Sequence, residues 1–125
     1  MKKIITTKDA PAPIGPYSQA VLSGNMLFIS GQVAFIPGSS EIVLTDIQSE
    51  THQVMKNIRA ILMEAGMDFT NVVKTSIFLI DMNQFMVVNE VYSSYFKSDF
   101  PARETIQVSK LPKEVNVEIS MIAMK

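Results

Sequence analysis

The chain has 125 residues, 47% hydrophobic and 18% charged, a globular balance with enough length to bury one core. It has no cysteine and a single histidine, which excludes disulfides, thiolate metal sites, a thiol nucleophile and a histidine metal cluster. Eleven basic and twelve acidic residues give a net charge of −1, so the total carries no electrostatic footprint for nucleic acid or an anionic membrane.

The opening "MKKIITTKDAPAP" has lysines but no apolar segment behind them, unlike a signal peptide. No apolar run approaches the roughly 20 residues of a membrane helix. The expectation is one domain over residues 1–125 in a soluble, cytoplasmic setting. Nine methionines are scattered through the chain and read as adaptable core filler.

Residues 11–18, "PAPIGPYS", hold three prolines and Gly15 around Tyr17. Proline fixes φ and lacks an N–H, so this stretch forms neither a helix nor a central strand and costs little entropy to order. It presents Tyr17 in a nearly fixed place. "MLFISGQV" (26–33) follows as a β-rich run interrupted by Gly31, and "FIPGSSE" is turn chemistry.

"TDIQ" (45–48) has capping-box spacing and opens a predicted helix. Ile47, Thr51, Val54, Met55, Ile58, Leu62 and Ala65 recur in steps of three and four on its apolar stripe. Gly66 stands where a C-cap glycine belongs, with Phe69 placed to pack back beneath it. His52 falls at the polar flank and reads as a solvated helix residue. "NVVKTSIFLI" (71–80) is a strand apolar on both faces at its end, which suggests a covered, central position. A second stripe, Phe85, Val88, Val91, Tyr92, Tyr95 and Phe96, predicts a second helix after "DMNQ", with Asn89 just off the stripe.

Two strands are predicted beyond Pro101, at 103–109 and 115–124. Each alternates apolar and polar residues, so each has one apolar side. The six-residue connection between Ser109 and Asn116 permits pairing with the apolar sides together. Arg103, Thr105, Gln107, Asn116, Glu118 and Ser120 would then share one polar face. Ile122 and Met124 continue that face as apolar, and its polar residues are short, so it reads as a face covered by another subunit rather than by water.

"IGPYSQA", "FISGQV", "VKTSIFLIDMNQFMVVNEVYSSYF", "FPARETIQV" and "LPKEVNVEISMIA" follow in order the pattern of the RidA/YjgF family of reactive-intermediate deaminases, which the chain resembles over essentially its whole length. The resemblance implies an α/β (α+β) fold of the chorismate-mutase-like type, a mixed six-stranded sheet with two helices on one face. It implies homotrimers with ligand clefts between subunits. It further implies hydrolysis of small 2-imino or 2-enamino acids, released by pyridoxal-phosphate enzymes, to 2-keto acids and ammonia, with no metal or bound cofactor.

By the same resemblance Arg103 clamps the substrate carboxylate and Glu118 positions the attacking water. Tyr17 is contributed from a neighbouring subunit, and Ser30, Gly31 and Asn89 line the cleft. Thr105 replaces a cysteine that some members carry there, so thiol-dependent behaviour is not expected. The short "KSD" connection before "FPAR" bears on substrate size. Each residue also has a plainer reading: Arg103 as an ion-pair partner of Glu118 or Glu104, Tyr17 as an anchor of its own loop, Gly31 as a bulge, Asn89 as a solvated helix residue. Two other functions stay open, a translation inhibitor that cleaves RNA and a non-catalytic module binding a small carboxylate.

Overall fold

In chain order the elements are β1 (Lys2–Ile5), β2 (Ala20–Ser23), β3 (Met26–Gln32), α1 (Ile47–Glu64), β4 (Val72–Leu79), α2 (Phe85–Ser93), β5 (Ala102–Gln107) and β6 (Val117–Met124). A computed structural model describes all of residues 1–125. The strands form one six-stranded mixed sheet in the order β1-β2-β3-β6-β4-β5. All neighbours are antiparallel except β4 and β5, which run parallel. α1 connects β3 to β4 and α2 connects β4 to β5, so both helices serve parallel crossovers and pack together on one face. No helix is long and apolar enough to cross a membrane.

Helix α1 starts one residue later than "TDIQ" suggests. Asp46, not Thr45, is the N-cap, and its carboxylate accepts from the Ser49 N–H at 2.7 Å. An anion suits the positive helix end better than a hydroxyl. The far end is as expected: Gly66 takes φ +72°, Gly66 N–H donates to Met63 and Met67 N–H to Leu62, a Schellman cap. Phe69 is buried in the cluster that α1 and the sheet share. Helix α2 is shorter than its stripe. It ends at Ser93, and Tyr95 and Phe96 pack on the core from the turn beyond it. His52 is not simply solvated, because its Nδ1 lies 2.8 Å from the Tyr95 hydroxyl.

The pairing of the last two strands differs from the sequence expectation. β4 lies between β5 and β6, and β5 pairs with β4 alone, with Arg103 opposite Thr75 and Thr105 opposite Ile77. Ile77 in turn is opposite Ile119, and Phe78 is opposite Glu118. Paired residues share a face, so Arg103, Thr105 and Gln107 stand on the helix side of the sheet, while Glu118 and Ser120 stand on the other. The polar layer containing both Arg103 and Glu118 does not exist within one chain. The open face carries Glu118, Ser120, Ile122, Met124, Phe28, Phe78 and Ile106. It is the half-apolar face expected from β6, and no helix covers it. Phe28 and Ile106 are 43% and 45% exposed there.

Candidate active site

The expected site residues fall into two groups. The first gathers where β3 and β6 part. Their ladder is regular to Ile29–Met121, slips, and ends at Gln32–Ile119, so Ser30 and Gly31 lie in a β-bulge. Glu118 fills the space that the bulge opens. A Cβ built on Gly31 would stand 2.8 Å from the Glu118 Cδ and closer still to Oε2, so only glycine leaves the carboxylate this position.

Tyr17, Gly31 and Glu118 line one small pocket with Pro11, Ile14 and Pro112, about 60 Å³ in volume. That is room for a water molecule or two. The Glu118 carboxylate is half-buried and has no hydrogen-bond or ion-pair partner, and burial pushes its carboxyl above the ordinary 4.5. Such a group takes up a proton more readily than a solvated carboxylate. Ser30 is committed elsewhere: its hydroxyl donates to the Ser18 carbonyl at 2.6 Å and its N–H donates to Gln19.

The proline loop is held by Gln19, a residue the sequence reading passed over. Its buried amide accepts from Thr7 N–H at 2.7 Å and donates to the Thr7, Ala10 and Pro11 carbonyls. Pro11 and Pro13 can give no N–H of their own, so their neighbourhood depends on such a side chain. Tyr17 is thereby carried at the loop tip, 48% exposed, its hydroxyl 3.4 Å from the Ile14 N–H. It neither packs into the core nor anchors its loop by burial.

The second group lies at the edge strand β5. Arg103 Nη1 donates to Asn89 Oδ1 at 2.5 Å. The guanidinium stands over the rings of Tyr92 and Phe85, 5.1 and 5.6 Å from their centroids. Neither expected ion pair forms. Glu118 is on the other face, and Glu104 pairs with Lys74 at 2.9 Å and accepts from Ser76. With Asn89, Ser93, Phe100 and Pro101, Arg103 lines a cavity of about 390 Å³. A guanidinium stacked on two rings retains in-plane N–H donors for a planar anion. Tyr92 is itself fixed by donating to the Thr75 hydroxyl at 3.0 Å. Thr105 is two residues along β5, and its Oγ1 is the one buried side-chain polar atom without a partner. The chain thus presents a cationic pocket and a carboxylate pocket on opposite faces of one sheet.

Two further residues escaped the sequence reading. Glu50 and Asn57 are fully buried on α1, and they bond to the starts of segments that border the carboxylate pocket. A signal was present, because Glu50 falls three residues after Ile47 and four before Val54, on the apolar stripe itself.

Residues 7–125 match the profile of the family described as Endoribonuclease L-PSP. The chain is 48% identical over 125 residues to the human 2-iminobutanoate/2-iminopropanoate deaminase, covering 100% of this chain and 91% of the human one. It is 51% identical over 125 residues to a RutC family protein of Pyrococcus horikoshii, covering 100% and 99%. Among solved structures, E. coli TdcF with bound serine superposes with a TM-score of 0.94 at 40% identity, over 98% of each chain. RidA from an Antarctic Psychrobacter superposes with a TM-score of 0.95 at 41% identity, over 98% of this chain and 99% of that one. Profile, sequence and fold agree, and the chain belongs to the RidA/YjgF family.

Proposed function

We propose that the protein hydrolyses small 2-imino and 2-enamino acids to 2-keto acids and ammonia. The observation that carries this reading is Glu118, a half-buried carboxylate with no partner beside a pocket of water size. A pure carboxylate-binding module gains nothing from a free negative charge at its site. The full-length similarity to the human and bovine deaminases supports the same substrate class.

Arg103 holds the substrate carboxylate through two parallel N–H donors, with Asn89 fixing the guanidinium. Glu118 takes a proton from water as the water oxygen bonds to C2 of the protonated imine. Glu118 then passes that proton to the nitrogen, the C–N bond breaks, and ammonia leaves with the bond pair. The remaining hydroxyl loses its proton to solvent and becomes the keto oxygen. An enamine enters after taking a proton at C3 to become the imine. The raised proton affinity of Glu118 suits it to both transfers.

Arg103 and Glu118 cannot meet one small substrate from opposite faces of one sheet, so the cleft forms between chains. One subunit gives Glu118, Tyr17, Ser30 and Gly31; its neighbour gives Arg103, Asn89 and Thr105. The exposed apolar residues of the open face, Phe28, Ile106 and Met124, give the contact its driving force. A closed ring of three uses one head-to-tail interface three times, as the family resemblance implies.

A threonine dehydratase supplies the imine, and 2-ketobutyrate release is followed while semicarbazide competes for the intermediate. The wild type should accelerate release, and Arg103→Ala and Glu118→Ala should not. Absence of acceleration by a folded oligomer refutes the deaminase reading. The family description favours one other activity, RNA cleavage. Ribonuclease activity that co-elutes with the protein and disappears in both variants would replace the first reading.

A further inference from the structure

Glu50 is the only acidic side chain fully enclosed by the protein. No lysine or arginine pairs with it. Instead its Oε2 accepts from the Asn116 N–H at 2.8 Å and the Val117 N–H at 3.2 Å, and its Oε1 accepts from Asn116 Nδ2 at 2.8 Å. A carboxylate is costly to enclose without a cation, and three N–H donors offset that cost only in a fixed arrangement.

The position of these bonds is specific. β3 stops pairing with β6 at Gln32–Ile119, while β4 continues beside β6 to Leu79–Val117. The first N–H groups of β6 therefore lose their strand partner on one side. Glu50 supplies the missing acceptors. Two helical turns on, Asn57 Nδ2 donates to the Val33 and Phe35 carbonyls at 3.2 and 2.9 Å, on the chain leaving β3. Helix α1 thus holds both lips of the split, and Glu118 is the residue after Val117, with its carboxylate in the gap against Gly31.

We propose that Glu50 is a positioning residue, which fixes the start of β6 so that the Glu118 carboxylate stays in the gap vacated by β3. This rests on reading Glu118 as the water-activating group. The pocket walls fit such a role, since Tyr17 is the only other titratable residue lining it. Nothing charged there could hold Glu118 in place instead.

Asn116→Asp sets a second carboxylate against Glu50 without touching either pocket. Glu50→Gln keeps the shape, and its amide can still accept from both backbone N–H groups while donating to a turned Asn116 side chain. Two readouts are used: the carbon-13 titration of the Glu118 carboxyl, assigned with Glu118→Gln, and the coupled keto-acid assay. Glu50→Gln should leave both within about twofold of wild type. Asn116→Asp should move the Glu118 titration toward the ordinary carboxylate range and lower kcat by about tenfold to a hundredfold, with KM little changed. The Glu50→Gln/Asn116→Asp pair, which again opposes a donor to an acceptor, should restore both.

Glu50→Asp retracts the carboxylate by one carbon and should shift both readouts in the same direction as Asn116→Asp, so the outcome does not depend on one variant folding. Unchanged Glu118 titration in folded Asn116→Asp and Glu50→Asp proteins, or failure of the double variant to restore it, overturns the proposal. A wild type without deaminase activity would refute the function above, while the titration would still decide the role of Glu50.

Discussion

The Glu118 carboxylate occupies the space in which a side chain at position 31 would stand, with the Glu118 Cδ 2.8 Å from the place of a Gly31 Cβ. Two strands that must part to admit a carboxylate need a residue without a side chain on the parting strand. The obstructing group is the end of a flexible side chain, so a substitution displaces it more readily than it breaks the fold. Gly31→Ala should therefore remain folded, with a stability loss of about 1 kcal/mol, and lose roughly tenfold to a hundredfold in kcat. Urea unfolding and the coupled assay give the two numbers. An alanine variant with full kcat would mean that Glu118 need not stand there.

Arg103 offers a different contrast. Arg103→Lys keeps the charge but loses the planar pair of donors and the stacking on Tyr92 and Phe85. The expected loss is about 2 kcal/mol of transition-state binding, roughly thirtyfold in kcat/KM. Sedimentation should show the same assembly as wild type, which separates a lost clamp from a lost oligomer.

The direction of the Glu118 shift fixes a sign. Burial raises its carboxyl above 4.5 in the folded state, so the unfolded chain releases this proton at lower pH than the folded protein does. The stability associated with the proton is fully present below the unfolded value and is lost as pH rises through the folded value. Glu118→Gln, which cannot ionise, should match wild type in Tm at the acid end, exceed it increasingly between the unfolded and folded values, and exceed it by a constant amount above them. The activity of the wild type should rise with pH through a value above 4.5, and the variant should lack that limb. Equal Tm differences at all pH values would contradict the shift.

Opposite faces for Arg103 and Glu118 make an intersubunit cleft directly accessible to mixing. Arg103→Ala and Glu118→Ala chains should each be inactive alone. Refolded together in equal amounts, they should recover about one quarter of wild-type activity, because a head-to-tail contact joins an intact Arg103 to an intact Glu118 at that frequency. Phe28→Glu should abolish the recovery by dispersing the assembly, with little effect on the fold, since Phe28 lies outside the buried cluster. No recovery from a mixed oligomer would mean that Arg103 and Glu118 do not serve one shared cleft.

Much of the fold was legible because it is local. The stripe from Ile47 to Ala65, the Gly66 cap and the alternation of Val117, Ile119, Met121 and Ala123 each depend on residues a few positions apart. The face of Arg103 was not legible. Alternation says that Arg103 and Thr105 share one side of their strand, but not which side of the sheet that is. A six-residue link invited a hairpin with β6, whereas α2 carries β5 to the far side of β4. A different neighbour in a different register turned every side chain of β5 over. Glu50 shows the converse. Its place on the apolar stripe was visible, yet its partners Asn116 and Val117 are 66 and 67 residues away.

The sequence by itself determined the two helices and the strands from β3 onward, though not β1 or β2, the stiff loop that carries Tyr17, the absence of thiol chemistry and, through motifs spread along the whole chain, the family. Those follow from local backbone preference, from side-chain periodicity and from which residue types are present at all. Only the tertiary structure decided that β4 separates β5 from β6, that Glu118 stands in a bulge at Gly31 and that Arg103 looks the other way. These depend on register between distant strands, which no local pattern encodes, and they divide the proposed cleft into two halves that one chain cannot bring together.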